Sequence, residues 1–271
     1  MAMRCGVLGD PIAHSLSPVL HRAGYAAVGL DWQYDAHLVA ADGLPGFLAG
    51  LDATWRGLSL TMPLKRTVLD LAPSVTDRAR LAGAANTVLL EDGAIVQVDN
   101  TDLPGAVAAV RERWDGPVTA GTVLGGGATA ASTGLALVEL GARTVTLMVR
   151  SPERAAEAVA AIARHPAGPQ VLVGSLAGDP VTGEVVVSTI PAAAQDPELV
   201  ARCADVPLVF EALYDPWPTP LAASAADRVL VGGLDLLVHQ AVLQFELFTG
   251  VACPVDALRA AGEAALAERH A

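Results

Sequence analysis

Directly after a short apolar run at residues 122–124 stand Gly125-Gly126-Gly127-Ala128-Thr129-Ala130, followed by a helical pattern that continues to Glu139 and stops at Gly141. No other stretch constrains the fold so tightly. A loop of the form G-x-G-x-x-A between a strand and a helix opens the first βαβ unit of a doubly wound, parallel-sheet domain that binds a dinucleotide. Gly125 then permits the tight turn, Gly127 lets a pyrophosphate approach the backbone, and Ala130 keeps the helix close to the strand. Gly126, Ala128 and Thr129 complete the loop. Its amides face the phosphates at a helix N-terminus, where the dipole favours negative charge.

The next strand, 144–149, decides which dinucleotide. An NAD site normally ends this strand with Asp or Glu to accept from the ribose 2′-hydroxyl. Here the chain reads Val149-Arg150-Ser151. Arg150 can contact a 2′-phosphate, Ser151 can hydrogen-bond it, and Arg154 lies one helical turn further on. This selects NADP. Further strands at 171–173, 184–188 and 208–212 alternate with Ala-rich helices, as a Rossmann-type parallel sheet requires.

The first hundred residues have a different rhythm. Short strands at 5–8, 32–39 and 56–61 are separated by helical segments. The first helix takes Ser17 as N-cap and Pro18 as its first helical residue, with Leu20, Ala23, Gly24 and Ala27 on one face. A second starts at Pro63 and sets Leu64, Val68 and Leu71 at helical spacing. Residues 87–98, interrupted by Glu91-Asp92-Gly93, read as a β-hairpin, which makes this sheet mixed. The organisation is therefore α/β with two domains. The expected division is residues 1–103, which the motifs quoted below mark as a substrate-binding catalytic domain, 104–235 as the nucleotide domain, and 236–271 as two helices that return to the first.

Composition narrows the partners. The chain's 271 residues suit two modest cores. A mean hydropathy of +0.44 might suggest a membrane, yet no uninterrupted run of about 18 apolar residues occurs. The net charge of −12 opposes nucleic acid and anionic lipid, so anionic ligands must rely on local hydroxyls, helix N-termini and a few placed cations. Three scattered cysteines, Cys5, Cys203 and Cys253, fit neither a disulfide framework nor a metal site. No histidine spacing suggests a metal, and the N-terminus lacks a signal-peptide pattern. These features predict a cytoplasmic protein with no metal.

Four further stretches carry a resemblance. They are Gly9-Asp10-Pro11-Ile12-Ala13-His14-Ser15-Leu16-Ser17-Pro18, Ser59-Leu60-Thr61-Met62-Pro63-Leu64-Lys65, Gly83-Ala84-Ala85-Asn86-Thr87 with Asp99-Asn100-Thr101-Asp102, and the run from Gly233 to Phe245 containing Gln240. In this order, with the glycine loop, they resemble the shikimate dehydrogenase family. Tyr214-Asp215-Pro216 with Thr219-Pro220, and Ser188-Thr189-Ile190-Pro191, also fit. The resemblance implies NADPH-dependent, reversible reduction of 3-dehydroshikimate to shikimate in aromatic amino-acid precursor biosynthesis, by a monomer or homodimer. It implies that Ser15 and Ser17 bind the substrate carboxylate and that Lys65 and Asp102 carry the proton chemistry. It also implies that Thr61, Asn86 and Gln240 bond the ring hydroxyls, that Ser59, with its shorter side chain, contacts the substrate less directly, that Tyr214 binds substrate near the nicotinamide end, and that Thr189, Ile190, Gly233 and Leu236 line the cofactor. Physical chemistry supports several of these roles. A helix start favours an anion near Ser15 and Ser17, and the same effect at Pro63 disfavours positive charge on Lys65. His14 and His21 are expected to be structural.

The chain also departs from the family pattern. Ser59 stands where many members have Asn, Val149 replaces the usual Asn of the 2′-phosphate clamp, Leu236 replaces a frequent Met, and Asp235 replaces a small residue. None removes a group the chemistry requires. Rival readings are a quinate or aminoshikimate dehydrogenase on the same scaffold, and a non-catalytic NADPH-binding paralogue.

Overall fold

The computed structural model describes residues 2–269, which divide into two compact units. Of the described residues, the first holds 2–80, 84–101 and 237–269, and the second 81–83 and 102–236.

In the first unit the strands are β1 (Arg4–Gly9), β2 (Gln33–Leu38), β3 (Trp55–Leu60), β4 (Thr87–Glu91) and β5 (Ala94–Asp99), in the spatial order β2-β1-β3-β4-β5. β1 runs parallel to both β2 and β3, whereas β4 is antiparallel to β3 and to β5. The mixed sheet expected from the hairpin is present. Asp92 and Gly93 both have positive φ, 49° and 80°, which matches the right-handed twist of the paired strands. Three helical segments follow the strands: α1 (Ser17–Ala27), α2 (Leu44–Ala49) and α3 (Leu64–Thr67), with α4 (Asp77–Ala82) before the hairpin.

Two details of these helices differ from expectation. Ser17 is not the N-cap of α1 but its first residue. Leu16 already has helical backbone angles, φ −90° and ψ −5°, so the hydroxyl that reaches a helix amide comes from two residues earlier. Ser15 Oγ accepts from Ser17 N at 3.3 Å. The buried face of α1 is also rotated: it carries Ser17, Leu20, His21, Gly24 and Tyr25, while Ala27 is exposed. Around Pro63, α3 lasts only four residues before tightening into a 3₁₀ turn at Val68–Leu71. That change of pitch leaves Leu64 and Val68 buried and turns Leu71 outward.

The second unit contains β6 (Ala120–Leu124), β7 (Thr144–Val149), β8 (Gln170–Ser175), β9 (Val185–Ser188), β10 (Leu208–Glu211) and β11 (Val229–Val231), all parallel, in the order β11-β10-β9-β6-β7-β8. The sequence reading did not foresee β11, whose three residues are too short to show a period. The helices are α5 (Asp102–Arg113), α6 (Ala128–Glu139), α7 (Pro152–Ala163), α8 (Pro197–Arg202) and α9 (Pro220–Ala223). α6 is buried on nearly every side from Ala130 to Val138, which explains why it is apolar all round. Gly134 lets α7 come close, because a Cβ there would lie 2.4 Å from Ile162. Each fully buried leucine of this core, such as Leu135 and Leu208, stabilises the unit by about 2 kcal/mol.

α10 (Gly233–Thr249) begins in the second unit and continues from Leu237 in the first, where α11 (Val255–Arg269) packs on α1. Gly24 makes that packing possible, since a Cβ there would meet Leu258 and Phe245, both at 2.8 Å. Among the described residues no helix is long and apolar enough to cross a membrane.

Candidate active site

In the second unit the chain leaves β6, winds outward through β7 and β8, and returns to lay β9 on the other side of β6. Strand order reverses between β6 and β9, and such switch points are where open α/β sheets bind ligands. Both strands end in residues marked for the cofactor. Gly125 follows β6 with φ +121°, a conformation suited to glycine, and a Cβ there would lie 2.3 Å from Thr189 Oγ1. Thr189 follows β9, and its hydroxyl donates to the Leu124 carbonyl at 2.9 Å. Ile190, next to it, is buried.

The three loop glycines have separate physical reasons. Gly125 is required by backbone angle. Gly126 is required by packing, because a Cβ would come within 2.6 Å of Ala155 on α7. Gly127 is required by neither: its φ is an ordinary −86°, and a Cβ would meet nothing within 4 Å. Open space over Gly127, at the N-terminus of a 12-residue helix, is what close approach of a pyrophosphate needs. Ala128 and Thr129 begin that helix half-buried, and Ala130 is fully buried. The loop therefore fits a dinucleotide.

At the end of β7, Arg150 is exposed, Ser151 is the N-cap residue of α7, and Arg154 lies in its first turn. Among the described residues, neither arginine has an ion-pair partner. Glu153, which might have neutralised them, instead accepts from Ser151 Oγ at 2.7 Å, and that bond holds its carboxyl below the usual range. Both guanidinium groups therefore remain available to a phosphate. Val149 is buried against the loop, 3.4 Å from where a Gly126 Cβ would be.

Tyr214 lies half-buried in the loop after β10, and a carboxylate organises that loop. Glu211 is fully buried and accepts from Thr219 Oγ1 (2.8 Å), Gln195 Nε2 (2.7 Å) and Leu213 N (3.1 Å). Burial pushes its carboxyl upward, although these donors oppose the change. Gly233 touches the same loop, since a Cβ would clash with the Leu213 carbonyl and Tyr214 N. Asp235, the departure noted above, pairs with Arg113 of α5 at 2.9 Å and accepts from Gly232 N. Leu236 is buried beside them in the core.

In the first unit, Lys65 is half-buried in the first turn of α3, and its backbone carbonyl accepts from Ala85 N at 2.7 Å. That bond anchors it beside Asn86. Thr61 caps the end of β3: its amide donates to the Leu8 carbonyl, and its own carbonyl accepts from Leu64 N. The closeness of Gly9 to Thr61 demands glycine, since a Cβ would lie 2.3 Å from Thr61 Cγ2.

Asn86 is buried, and its Oδ1 accepts from Thr101 N at 2.7 Å and from Thr87 Oγ1 at 2.9 Å. Its Nδ2 donates to Thr101 Oγ1 (3.0 Å) and to Gln240 Oε1 (3.3 Å). These bonds join the two halves of the third motif and fix the chain immediately before Asp102. Asn100 adds another, donating to the Ala84 carbonyl at 2.9 Å. Asp99 binds Arg78 and Thr76. Burial alone would raise its carboxyl, but those partners and the Asn100 amide outweigh it and hold it low. Asp102 opens α5 with only 6% exposure.

Gln240 and Gln244 are buried rather than solvated. Ser59 is also buried, with its hydroxyl between Tyr34 and Gln244. Sequence reasoning passed over Tyr34, Thr87, Thr101 and Gln244. The i, i+4 spacing of the two glutamines was the available signal. Among the described residues no cluster of three or more metal-ligating side chains occurs.

Comparison with known proteins places this geometry. Residues 7–88 match the model of the shikimate dehydrogenase substrate binding domain, and residues 233–261 that of the shikimate 5'-dehydrogenase C-terminal domain. A shikimate dehydrogenase (NADP(+)) from Desulfitobacterium hafniense is 32% identical over 98% of this chain and all of its own length. One from Caulobacter vibrioides is 34% identical over 91% of this chain and 90% of its own. The crystal structure of Mycobacterium tuberculosis shikimate dehydrogenase is 38% identical, covers 97% of this chain and 99% of its own, and superposes with a TM-score of 0.88.

Proposed function

The chain belongs to the shikimate dehydrogenase family, and from that premise we propose that it catalyses the reversible reduction of 3-dehydroshikimate to shikimate with NADPH. The observation that carries the cofactor choice is Arg150 and Arg154, neither with an ion-pair partner among the described residues, and no acidic residue at the end of β7.

NADPH when bound supplies the hydride, and the chain supplies position and a proton. The amides of residues 126–130 would hold the pyrophosphate, while the Gly125 amide is spent on the Met148 carbonyl, and Arg150, Ser151 and Arg154 would hold the 2′-phosphate. Thr189, Ile190, Gly233 and Leu236 would line the remainder, and Tyr214 would stand at the nicotinamide end. Ser15 and Ser17 donate hydroxyl protons to the substrate carboxylate, aided by the helix start behind them. Thr61, Asn86, Gln240 and Ser59 orient the ring hydroxyls with groups that both donate and accept.

Lys65 gives its Nζ proton to the alkoxide oxygen that forms at C3 during reduction and takes it back during oxidation, with Asp102 as the carboxylate of the proton-transfer pair. We further propose a cytoplasmic protein, monomeric or homodimeric, which agrees with three cysteines that form no disulfide.

Steady-state kinetics with shikimate and quinate, each with NADP and NAD, tests the reading. Shikimate with NADP should give the highest kcat/KM. Preference for quinate with NAD would establish the rival dehydrogenase, and tight NADPH binding without turnover would establish a non-catalytic protein.

A further inference from the structure

Ser59 offers only a hydroxyl at the end of β3, and an amide reaches it from another element, α10. Ser59 Oγ donates to Gln244 Oε1 at 2.7 Å, and since a hydroxyl has one proton, Tyr34 must be the donor in its 2.5 Å contact with Ser59. Gln244 Nε2 donates onward to the Asn86 carbonyl (3.0 Å) and to Thr87 Oγ1 (2.9 Å). Thr87, having accepted, turns its own proton toward Asn86 Oδ1 at 2.9 Å. The chain of bonds therefore has a direction, from Tyr34 through Ser59, Gln244 and Thr87 to Asn86. Together with the Thr101 amide, which also donates to Asn86 Oδ1 at 2.7 Å, it holds the Asn86 amide with that oxygen as acceptor. Every member is buried; Tyr34, Thr87 and Gln244 are each 0% exposed, so water cannot substitute for a missing link.

We propose that Gln244 is a positioning residue for the substrate's ring hydroxyls, supplying from α10 the amide that ties Ser59 to Thr87 and Asn86. This rests on the reading of Ser59 and Asn86 as substrate ligands given above. Gln244 does not touch the substrate; it orients Asn86 through Thr87 and holds Ser59 in place. Ser59 and Gln244 then form one exchangeable unit, in which an amide is needed at one of the two positions.

The test compares wild-type protein with Gln244→Met, Gln244→Ala and Ser59→Asn/Gln244→Ala, measuring kcat, both Michaelis constants, shikimate affinity by calorimetry, and Tm. Gln244→Met should raise the KM and Kd of shikimate roughly tenfold, the cost of leaving buried polar groups unpaired, with kcat changed at most about twofold and KM for NADP unaltered. Ser59→Asn/Gln244→Ala should recover most of the shikimate affinity lost in Gln244→Ala. Thr87→Val breaks the same relay with little change of volume and should give the same split, so a Gln244→Met protein that fails to fold does not end the test. An unchanged shikimate KM in an active Gln244→Met protein overturns the inference alone. So does a double variant no better than Gln244→Ala, or equal losses for both substrates with a lowered Tm. A wild-type protein that neither binds nor turns over shikimate overturns the proposed function, and this inference with it.

Discussion

His21 lies on the buried face of α1 with 0% exposure, stacked on Tyr34 at 4.2 Å and 9° between ring planes. Tyr25, Phe245 and Phe248 surround it. Neither ring nitrogen makes a hydrogen bond in the described structure, although the Gln244 side chain is near enough to offset a little of the burial penalty. Burial lowers the imidazole from 6.5 to about 3. The two tyrosines around it are shifted upward by burial, so none of these neighbours titrates in that interval.

Between the two values the unfolded chain binds a proton that the native ring refuses. Stability must therefore fall as the solution is acidified below about 6.5, and above that value His21 contributes no pH dependence. The full loss, from the fall of the imidazole from 6.5 to about 3, is on the order of 5 kcal/mol and is reached only near the folded value. From about pH 7 to about pH 5 the share is about 2 kcal/mol. Urea unfolding of wild type and His21→Phe at both pH values measures it. The wild type should lose about 2 kcal/mol more than the variant on acidification, and the variant should match or exceed wild-type stability at neutral pH, because it removes two unpaired polar atoms. Equal losses in the two proteins would refute the argument.

Lys65→Ala should lower kcat by roughly 10²- to 10⁴-fold, the range for loss of a general acid, while NADPH affinity by fluorescence titration stays unchanged; a collapse of cofactor affinity would contradict the assigned role. Arg150→Ala should weaken NADPH by about 10- to 100-fold, the loss of a charge-assisted bond, and leave NADH unaffected. Equal loss for both cofactors would count against the phosphate clamp. Gly127→Ala should cost less than about 1 kcal/mol in unfolding experiments, since the new methyl meets no protein atom, yet reduce NADPH affinity at least tenfold by entering the space meant for the pyrophosphate. Undiminished affinity would show that the space serves no ligand.

Some of this molecule follows from local chemistry that a linear reading captures. The glycine loop, the strand before it and the helix after it follow from backbone angles and apolar periodicity, and the absence of an acidic residue after Val149 follows from one position. The hairpin at residues 87–98 is legible because Asp92 and Gly93 tolerate positive φ. The candidate lysine, aspartate, serines, Asn86 and Gln240 stand in short motifs that a linear reading picks out.

Tertiary structure decided what depends on partners distant in sequence. Ser17 begins its helix instead of capping it, because the backbone has already turned at Leu16. Gly126 is needed only because α7 crosses above it. Ser59 looks like an isolated shortening until Gln244, 185 residues away, supplies an amide to it. Hydrogen-bond pairing between separate elements leaves no periodicity, so only the folded chain brings Tyr34, Ser59, Gln244 and Asn86 into one buried relay.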